Sequence, residues 1–328
     1  MASQIDFIKK GEGGAQPNIS REKLISHLMP IPPLAEQYRI VEKIQTLLPL
    51  TEKYNACQAM QDKLNSDIKD KLRKSILQEA IQGRLVPQIE SEGSAAELLA
   101  KIKTEKQKLM KEGKLKKSAL TDSVIFRGDD NKYYEQVGGD VSCVDEEISF
   151  EIPDSWSWVR LRELSSIMTG ATFKKEDAKQ DNNGVRVLRG GNIYPFEIKF
   201  KVDDIFLKTS QVKTDILLKQ NDLVTPAVTS LENICKMARV VRDMESTTVG
   251  GFVFILRPYL SKDTLSSYLL AVLSSPSTVE FVKSITNKSG QAFYNIGKER
   301  LGATLIPLPP TAEQNRIVQR INELLSKL

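Results

Sequence analysis

A phrase of 31 residues occurs twice in this chain. The first copy spans residues 18–48 and the second spans residues 295–325; they align without a gap and share 17 identical positions. Such similarity predicts that both copies fold alike and present the same surface twice. A solenoid repeats roughly every 20–50 residues, so the spacing of 277 residues excludes it and indicates one large module between two equivalent struts. We call the two copies the first strut and the second strut.

Each strut joins a proline-rich stretch to a helix. Proline fixes φ and lacks an amide donor, so residues 30–33 and 307–310 are predicted to be extended. A helix is predicted to begin near Ala35 and near Ala312, and apolar residues then recur at helical spacing. These residues are Ile40, Val41, Ile44, Leu47 and Leu48 in the first strut and Ile317, Val318, Ile321, Leu324 and Leu325 in the second. Each stripe either packs on its own domain or contacts the other helix or a shared partner, and we favour contact.

The first strut continues into a much longer helix. After a kink predicted at Pro49, residues 50–82 contain neither proline nor glycine, and Gly83 ends the run. A helix of that length spans about 50 Å. An apolar seam follows it through Cys57, Met60, Leu64, Ile68, Leu72, Ile76 and Ala80. Charged and amide residues fill the other faces, which is typical of a coiled-coil strand whose seam needs a partner helix.

The two struts differ in what precedes them. Residues 289–294 lead into the second strut from a large module, whereas residues 12–17 lead into the first strut from a short segment. Two positions of the shorter segment nevertheless match the longer one at the same spacing of 277 residues. We therefore expect residues 1–17 to be the tail of a module whose body is missing, and the second spacer to be cut short.

Changes in composition divide the chain into five segments. They are a tail at residues 1–17, a first spacer at 18–83, a connector at 84–150, a globular module at 151–294 and the start of a second spacer at 295–328. In the connector, Ser94 and Glu97 match a capping box and predict a helix over residues 94–117. Eight lysines between residues 101 and 117 favour a solvated face, with a polyanion contact as the alternative. Residues 118–150 are polar, and we expect a surface loop with a short hairpin.

The module at residues 151–294 alternates strand-like and helix-like runs. Strands are predicted at 185–189, 204–207, 222–228, 236–242 and 249–257, and helices at 264–274 and 276–285. We expect one strongly bent sheet, with Trp156 and Trp158 buried as core or junction anchors. The chain is therefore predicted to be α+β, with a mixed α/β globular domain joined to long coiled-coil spacer helices.

Composition limits the class of protein without deciding it. The sequence contains no run of 18 apolar residues, so it predicts no membrane span. Cys57, Cys143 and Cys235 are widely spaced and odd in number, which favours free thiols in a reducing cytoplasm. The formal net charge of +5 is compatible with a polyanionic partner but is also common among other proteins.

The sequence lacks the usual patterns of catalysis. The one histidine, His27, lies in the first strut and is replaced by Thr304 in the second, so we expect no catalytic role for it. There is no GxxxxGKS/T phosphate loop and no His/Cys cluster for a metal. Ile31 and Leu308 stand where an Asn or Asp would precede the paired prolines of an amino-methyltransferase motif. We therefore expect a non-catalytic chain without a cofactor or metal of its own.

Three segments resemble one known family. PIPPLAEQYRIVEKI in the first strut, PLPPTAEQNRIVQRI in the second and IPDSWSWVRLRELSSIMTG at residues 152–170 are similar to the specificity subunit of type I restriction-modification enzymes. The resemblance covers nearly the whole chain from about residue 12. It implies two target-recognition domains that alternate with two helical spacers, which form an antiparallel coiled coil and separate two half-sites on DNA. This chain departs from that pattern because it lacks the body of the first domain and most of the second spacer.

The resemblance also implies a role and partners. The role is DNA sequence recognition, in which the chain reads one half-site of a bipartite target and scaffolds the other subunits. Those are modification subunits that use S-adenosylmethionine to methylate adenine, and restriction subunits driven by ATP with Mg. The exposed seam also allows a homodimer through the spacer helices. The alternative is an assembly or regulatory protein that reads no DNA and pairs with specificity or modification subunits through its helices.

Two sets of residues are candidates for these contacts. Three segments of the module carry polar and cationic side chains that suit phosphate and base contacts: the loop at residues 170–175, the strand end and following residues at 186–192, and the loop at residues 287–293. The candidates are Lys174, Lys175, Arg186, Arg189, Asn192, Asn287, Lys288, Ser289 and Gln291. The repeated segment of the struts suits partner docking. Its candidates are Pro32, Pro33, Glu36, Gln37 and Arg39 in the first strut and Pro309, Pro310, Glu313, Gln314 and Arg316 in the second.

Overall fold

The computed structural model describes residues 21–25, 30–116, 123–179, 183–289 and 293–328. The chain divides into two compact units, residues 1–67 and residues 68–328. His27 and the predicted tail at residues 1–17 lie outside the described residues. None of the described helices combines the length and the apolar character that crossing a membrane requires.

The described residues form helices of very different length and many short strands. The helices are α1 (Arg21–Ile25), α2 (Leu34–Ile81), α3 (Ala95–Lys111), α4 (Leu161–Leu164), α5 (Asp263–Leu273), α6 (Pro276–Ser284), α7 (Lys298–Gly302) and α8 (Thr311–Leu325). The strands are β1 (Ser123–Arg127), β2 (Tyr133–Val137), β3 (Asp140–Cys143), β4 (Ser157–Arg160), β5 (Ser165–Thr169), β6 (Val185–Leu188), β7 (Ile193–Tyr194), β8 (Glu197–Ile198), β9 (Ile205–Leu207), β10 (Leu223–Pro226), β11 (Val228–Thr229), β12 (Ala238–Arg239), β13 (Thr247–Val249), β14 (Val253–Pro258), β15 (Asn287–Ser289), β16 (Phe293–Asn295) and β17 (Leu305–Leu308). The helices predicted in the module are confirmed as α5 and α6, and the mixed α+β class is confirmed.

The strands form several small sheets and not the single bent sheet predicted for the module. The largest has the order β12–β10–β14–β5 and is antiparallel throughout. A second sheet, β13–β6–β9, contains a parallel pair between β13 and β6. Smaller sheets are β11–β16–β15, β17–β4 and β7–β8. The strands are only two to six residues long, and 3₁₀ turns separate many of them, so no single sheet extends across the domain.

The main core lies where the last turns of α2 meet α3, α5 and α8. Leu77 and Ile81 of α2 are buried there together with Ile102 of α3. Tyr268 of α5 is fully buried and donates a 2.6 Å hydrogen bond from its hydroxyl to the carbonyl oxygen of Pro307. Full burial of such side chains contributes about 1.5–3 kcal/mol each. Both tryptophans predicted as anchors are buried, each only 5% exposed.

Helix α2 runs as one helix from Leu34 to Ile81 and includes Pro49. The proline therefore does not divide it, although proline removes one backbone hydrogen bond from a helix. The predicted seam has two parts. Ala80 is buried and Ile76 is partly buried against the main core, whereas Met60, Leu64, Ile68 and Leu72 are between 44% and 66% exposed.

The connector contains more regular structure than the sequence predicts. Ser94 occupies the N-cap of α3, but its side chain forms no capping hydrogen bond, so the predicted capping box is wrong. The amide of Ala95 instead donates to the carbonyl oxygen of Ser155 at 2.9 Å. The region predicted as a polar loop forms the antiparallel sheet β1–β2–β3.

A buried arginine fastens that sheet to the module. Arg160 donates to Glu135 at 2.6 Å, to Glu147 at 2.6 Å and to the carbonyl oxygen of Ala303 at 2.7 Å. Burial opposes the guanidinium charge, but hydrogen bonds from Arg160 to Glu147 and Glu135 outweigh it and raise the pKa of Arg160. The buried ion pair between Arg160 and Glu135 therefore links β4 to β2 across the boundary between connector and module.

The cysteines are free thiols, as predicted. Cys57 and Cys143 are exposed and Cys235 is buried. Burial raises the pKa of the Cys235 thiol to about 12, so this side chain remains protonated near neutral pH.

Candidate nucleic-acid interface

A tight turn between β13 and β14 presents an exposed aromatic ring. The amide of Val253 donates to the carbonyl oxygen of Gly250 at 2.9 Å and closes the turn. Phe252 lies within it, and its side chain is 74% exposed. The ring is accessible to a partner, and the hydrogen-bonded backbone of the turn would lose little conformational freedom on binding.

Neighbouring segments hold this turn from three sides through backbone hydrogen bonds. These bonds run from Gly250 N to Leu188 O at 2.9 Å, from Ala171 N to Val249 O at 2.7 Å and from Ala227 N to Phe252 O at 2.8 Å. Leu188 immediately precedes the predicted contact loop at residues 189–192, and Ala171 lies in the predicted loop at 170–175. Both loops therefore lie beside Phe252.

Glycines permit the close approach of the 170–175 loop. A Cβ atom at Gly170 would lie 2.0 Å from the carbonyl oxygen of Val249, which no side chain could tolerate. A Cβ atom at Gly251 would lie 2.8 Å from Cγ2 of Thr172. Substitution at Gly170 would therefore displace the turn that carries Phe252.

The strands on either side of the third predicted loop, β15 and β16, are connected to this turn through β11. Strand β11 directly follows Ala227, and Val228 pairs with Asn295 of β16. Phe293 of β16 is 57% exposed. Arg300 donates to Oδ1 of Asn287 at 2.8 Å and fixes the start of β15. Ala171 and Leu188 thus lie beside the turn that carries Phe252, and β11 joins the sheet of β15 and β16 to the same turn. Sequence reasoning placed Phe252 within a predicted strand.

Two of the predicted contact residues support the fold and are buried or paired inside it. Asn192 is 1% exposed and donates to Oδ1 of Asp204 at 2.6 Å. Arg186 donates to Oδ2 of the same carboxylate at 2.6 Å, and its guanidinium lies 4.5 Å from the ring centre of Phe200. Burial favours a higher pKa for Asp204, but hydrogen bonds from the Lys201 amide, Asn192 and Arg186 outweigh it and lower the pKa. Arg186 and Asn192 therefore bond the same carboxylate inside the domain, and their contact with DNA stays a prediction.

Three other predicted residues are accessible. The Arg189 side chain is 46% exposed and donates to Oδ2 of Asp203 at 2.8 Å. The Lys174 side chain is 81% exposed and lies 3.6 Å from Glu176. Lys288 is exposed on β15. Surface ion pairs of this kind contribute only about 0–1 kcal/mol, so a phosphate or a base edge can replace them. Gln291 and the side chains of Lys175 and Ser289 lie outside the described residues.

Comparison with protein families identifies the domain that carries these loops. Residues 153–328 match the family described as the type I restriction modification DNA specificity domain. The chain belongs to the type I restriction-modification DNA specificity family. The match begins within the segment that opens the module, at Pro153, and includes every loop around Phe252 as well as the second strut.

Relatives of this specificity-family chain are longer. It is 26% identical to the EcoAI specificity subunit of Escherichia coli over 98% of its own length and 58% of that subunit. It is also 26% identical to the EcoEI specificity subunit of Escherichia coli, over 77% of its own length and 40% of that subunit. A solved structure from work on complex assembly and conformational transition of the type I R-M system shares the fold, with a TM-score of 0.50 and 18% identity over 99% of this chain and 60% of that one. The matches thus cover 58% and 40% of the lengths of these two curated relatives.

The second strut of this specificity-family chain docks on the chain itself. Glu313 is 1% exposed; its carboxylate accepts hydrogen bonds from Trp156 at 2.8 Å and from Gln88 at 2.5 Å. Arg316 pairs with Glu92 through two hydrogen bonds of 2.6 and 2.8 Å. We call the surface formed by Pro87, Gln88, Glu92, Trp156 and helix α5 the socket. The predicted docking residues of the second strut are therefore occupied within the chain.

The remaining predicted docking residues complete the same picture. Gln314 is fully buried and donates to the carbonyl oxygen of Pro309 at 2.8 Å, while Pro310 ends the extended stretch before α8. In the first strut, Gln37 makes the equivalent bond to Pro32 at 2.8 Å. Apart from Gln37 and the half-buried Pro32, the residues of the first strut whose burial is described are exposed. Within the described ranges, no group of three His, Cys, Asp or Glu side chains is arranged to hold a metal ion.

Proposed function

We propose that this chain is a DNA sequence-recognition subunit of a type I restriction-modification system. The observation that carries the proposal is the position of two predicted contact segments, at residues 170–175 and 186–192, beside the exposed ring of Phe252 in a DNA specificity domain. Residues 151–294 read one half-site of a bipartite DNA target. The chain catalyses no reaction itself and acts in the cytoplasm beside its partners.

In this proposal the accessible side chains make two kinds of contact with DNA, to phosphates and to bases. Lys174 and Lys288 contact phosphates, which supply affinity without sequence information. Arg189 releases Asp203 and pairs with a guanine edge, a common specific contact in the major groove. Phe252 supplies an apolar contact to a thymine methyl group or stacks on an unstacked base. In this arrangement Asn192 and Arg186 position the loop that carries Arg189.

The partners carry the chemistry in this proposal. Modification subunits bind S-adenosylmethionine and methylate adenine, and restriction subunits use ATP and Mg. A single recognition module binds weakly, and linkage to a second half-site reader raises the overall affinity through effective concentration.

Selection from a random duplex library tests the proposal. The full chain is bound to its modification subunits, and the retained DNA is sequenced after several rounds. One short sequence should be enriched, and Phe252→Ala should reduce binding to it by about tenfold with little change in binding to unrelated DNA. Phe126→Ala is the matched control, because Phe126 is 40% exposed on β1, outside the loop cluster. If the wild-type chain enriches no sequence, the result would favour the alternative of an assembly protein that reads no DNA.

A further inference from the structure

A tight turn between β8 and β9 presents an apolar side chain at its tip. The amide of Asp204 donates to the carbonyl oxygen of Lys201 at 3.3 Å, and the Asp204 carboxylate accepts a 2.9 Å hydrogen bond from the Lys201 amide. Val202 lies between these two residues, and its side chain is fully exposed. We call residues 201–204 the valine turn. Turns favour Gly, Pro, Asn, Asp and Ser, so the turn itself gives no reason for a β-branched apolar residue at its tip.

Hydrogen bonds hold the valine turn against the predicted contact loop at residues 189–192. The amide of Lys199 donates to the carbonyl oxygen of Asn192 at 2.8 Å, and the Asn192 side chain returns a 3.0 Å bond to the carbonyl oxygen of Lys199. The Arg189 guanidinium donates to the carbonyl oxygen of Asp203 at 2.9 Å. The position of the valine turn is therefore fixed relative to that of Arg189, which is itself a candidate for a base contact.

Aromatic rings and a buried ion pair support the base of the valine turn. The Arg186 guanidinium lies 4.5 Å from the ring centre of Phe200 and 4.7 Å from that of Phe206. The same guanidinium donates to the Asp204 carboxylate, which closes the turn, at 2.6 Å. Because the base of the turn is packed in this way, its backbone would lose little conformational freedom when Val202 contacts a partner.

The 189–192 loop lies next to both the valine turn and the strand end beside Phe252. A Cβ atom at Gly191 would lie 3.2 Å from Nζ of Lys201, and one at Gly190 would lie 3.5 Å from the side chain of Pro226. Pro226 pairs with Val253, the residue that follows Phe252. The two glycines therefore let the loop approach both neighbours closely, and the valine turn continues the surface that carries Arg189 and Phe252.

Charge around the valine turn suits a polyanion. Each carboxylate in residues 197–204 has a cationic partner, and the pairs are Glu197 with Lys199, Asp203 with Arg189 and Asp204 with Arg186. Lys201 adds a further positive charge directly beside Val202. An apolar tip next to a cation matches the major groove of DNA, where the methyl group of thymine lies between two rows of phosphates.

We propose that the valine turn is a further DNA contact of the module, in which Val202 packs against the methyl group of a thymine and Lys201 contacts a phosphate. The inference rests on the proposed function and adds one base contact to it. The major groove is about 12 Å wide and the minor groove about 6 Å, so the major groove is the one that admits several loops side by side. Thymine is the base that presents a methyl group there, so this contact selects thymine at one position of the target.

Replacement of single thymines by deoxyuridine tests the contact, because deoxyuridine lacks the methyl group and keeps the base pairing. The DNA is the sequence selected by the full wild-type chain with its modification subunits, and fluorescence anisotropy measures the affinity. At one position the replacement should weaken binding to wild type by about fourfold, the value expected for one buried methyl group. The same replacement should not change the affinity of Val202→Ser, whereas Val202→Ile should keep the wild-type dependence. Lys201→Ala should reduce the slope of log affinity against log salt concentration by about 1.

Val241→Ser is the matched control. Val241 is 62% exposed and follows β12, which pairs with the start of β10, whereas the turn of Phe252 lies beside the other end of that strand. This variant should keep the wild-type dependence at every thymine. Thermal unfolding of each chain verifies that it is folded, which an exposed position favours.

The outcomes separate this contact from the proposed function. A wild-type chain that selects no sequence would overturn both. A selected sequence whose thymine dependence is the same for wild type and Val202→Ser would overturn the valine contact alone and leave the proposed function standing. An unchanged salt slope for Lys201→Ala would overturn the phosphate contact.

Discussion

The indole Nε1–H of Trp156 donates a 2.8 Å hydrogen bond to Oε2 of Glu313, which lies 157 residues further along the chain. Gln88 donates to the other carboxylate oxygen at 2.5 Å. Because Glu313 is only 1% exposed, water cannot easily replace either donor. The start of the recognition module, the connector and the second strut therefore share one buried polar contact.

Trp156→Phe should lower the free energy of unfolding by about 1–3 kcal/mol, because it leaves one oxygen of a buried carboxylate without its donor. Urea denaturation followed by circular dichroism measures the change. Glu313→Gln serves as the partner variant in a double-mutant cycle. If the two substitutions are additive, the hydrogen bond contributes nothing to stability and the prediction is wrong.

Glu313 should also give the second strut an unusual dependence on pH. Burial raises the pKa of this carboxyl, although Trp156, Gln88 and Arg316 oppose the effect. A group with a raised pKa binds protons more tightly in the folded state, so its contribution is complete below the unfolded pKa and is lost as pH rises through the folded pKa. The stability of wild type relative to Glu313→Gln should therefore increase as the pH falls towards 4.5, the ordinary value of a glutamate. Urea denaturation of both proteins across this range measures the difference, and a decrease would contradict the prediction.

Local pattern was enough to predict much of this fold. Helical spacing and the prolines located both struts, and the long run without proline or glycine located α2. Apolar runs located α5, α6, β6 and β9. In each case the signal lies within the segment that forms the element, because period and backbone restriction are properties of neighbouring residues.

Contacts between distant residues account for what the sequence did not reveal. Asn192 and Arg186 were plausible base readers by residue type, but Asp204 in a later turn binds both. The Ser94 side chain forms no capping hydrogen bond, and the amide of the next residue, Ala95, donates to the carbonyl oxygen of Ser155. Phe252 lies within the strand predicted at residues 249–257, and the only local indication of a turn is the pair of glycines that precedes it. Packing determines which distant polar groups contact each other. Local patterns in a single sequence do not reveal these contacts.

Arg160→Met should destabilise the chain by about 3–5 kcal/mol, since it leaves Glu135 as a buried charge without its main partner. Burial favours a higher pKa for Glu135, but hydrogen bonds from Arg160 and Ser123 outweigh it and lower the pKa. Addition of Glu135→Gln to Arg160→Met removes that charge and should restore part of the stability. Thermal unfolding measures both variants, and equal instability of the single and double variants would contradict this account.

Asn192→Ala and Arg189→Ala should separate structural from DNA-contacting roles in one loop. Asn192 bonds Asp204 inside the domain, so its loss should cost about 1–3 kcal/mol of stability. Arg189 is exposed in a surface ion pair, so its loss should change stability by less than about 1 kcal/mol while weakening DNA binding. Chemical denaturation and fluorescence anisotropy with the selected DNA measure the two effects. Equal loss of stability in both variants would contradict the division.

Lys174→Ala should weaken DNA binding to a similar extent for selected and unrelated sequences, because a phosphate contact carries no sequence information. It should also reduce the slope of log affinity against log salt concentration by about 1, the value expected for the loss of one phosphate contact. Anisotropy titrations at several salt concentrations measure both quantities. Lys114→Ala is the matched control, because that side chain is 68% exposed and lies after α3 in the connector, outside the loop cluster. An unchanged slope for Lys174→Ala, or an equal change for Lys114→Ala, would place the DNA away from the 170–175 loop.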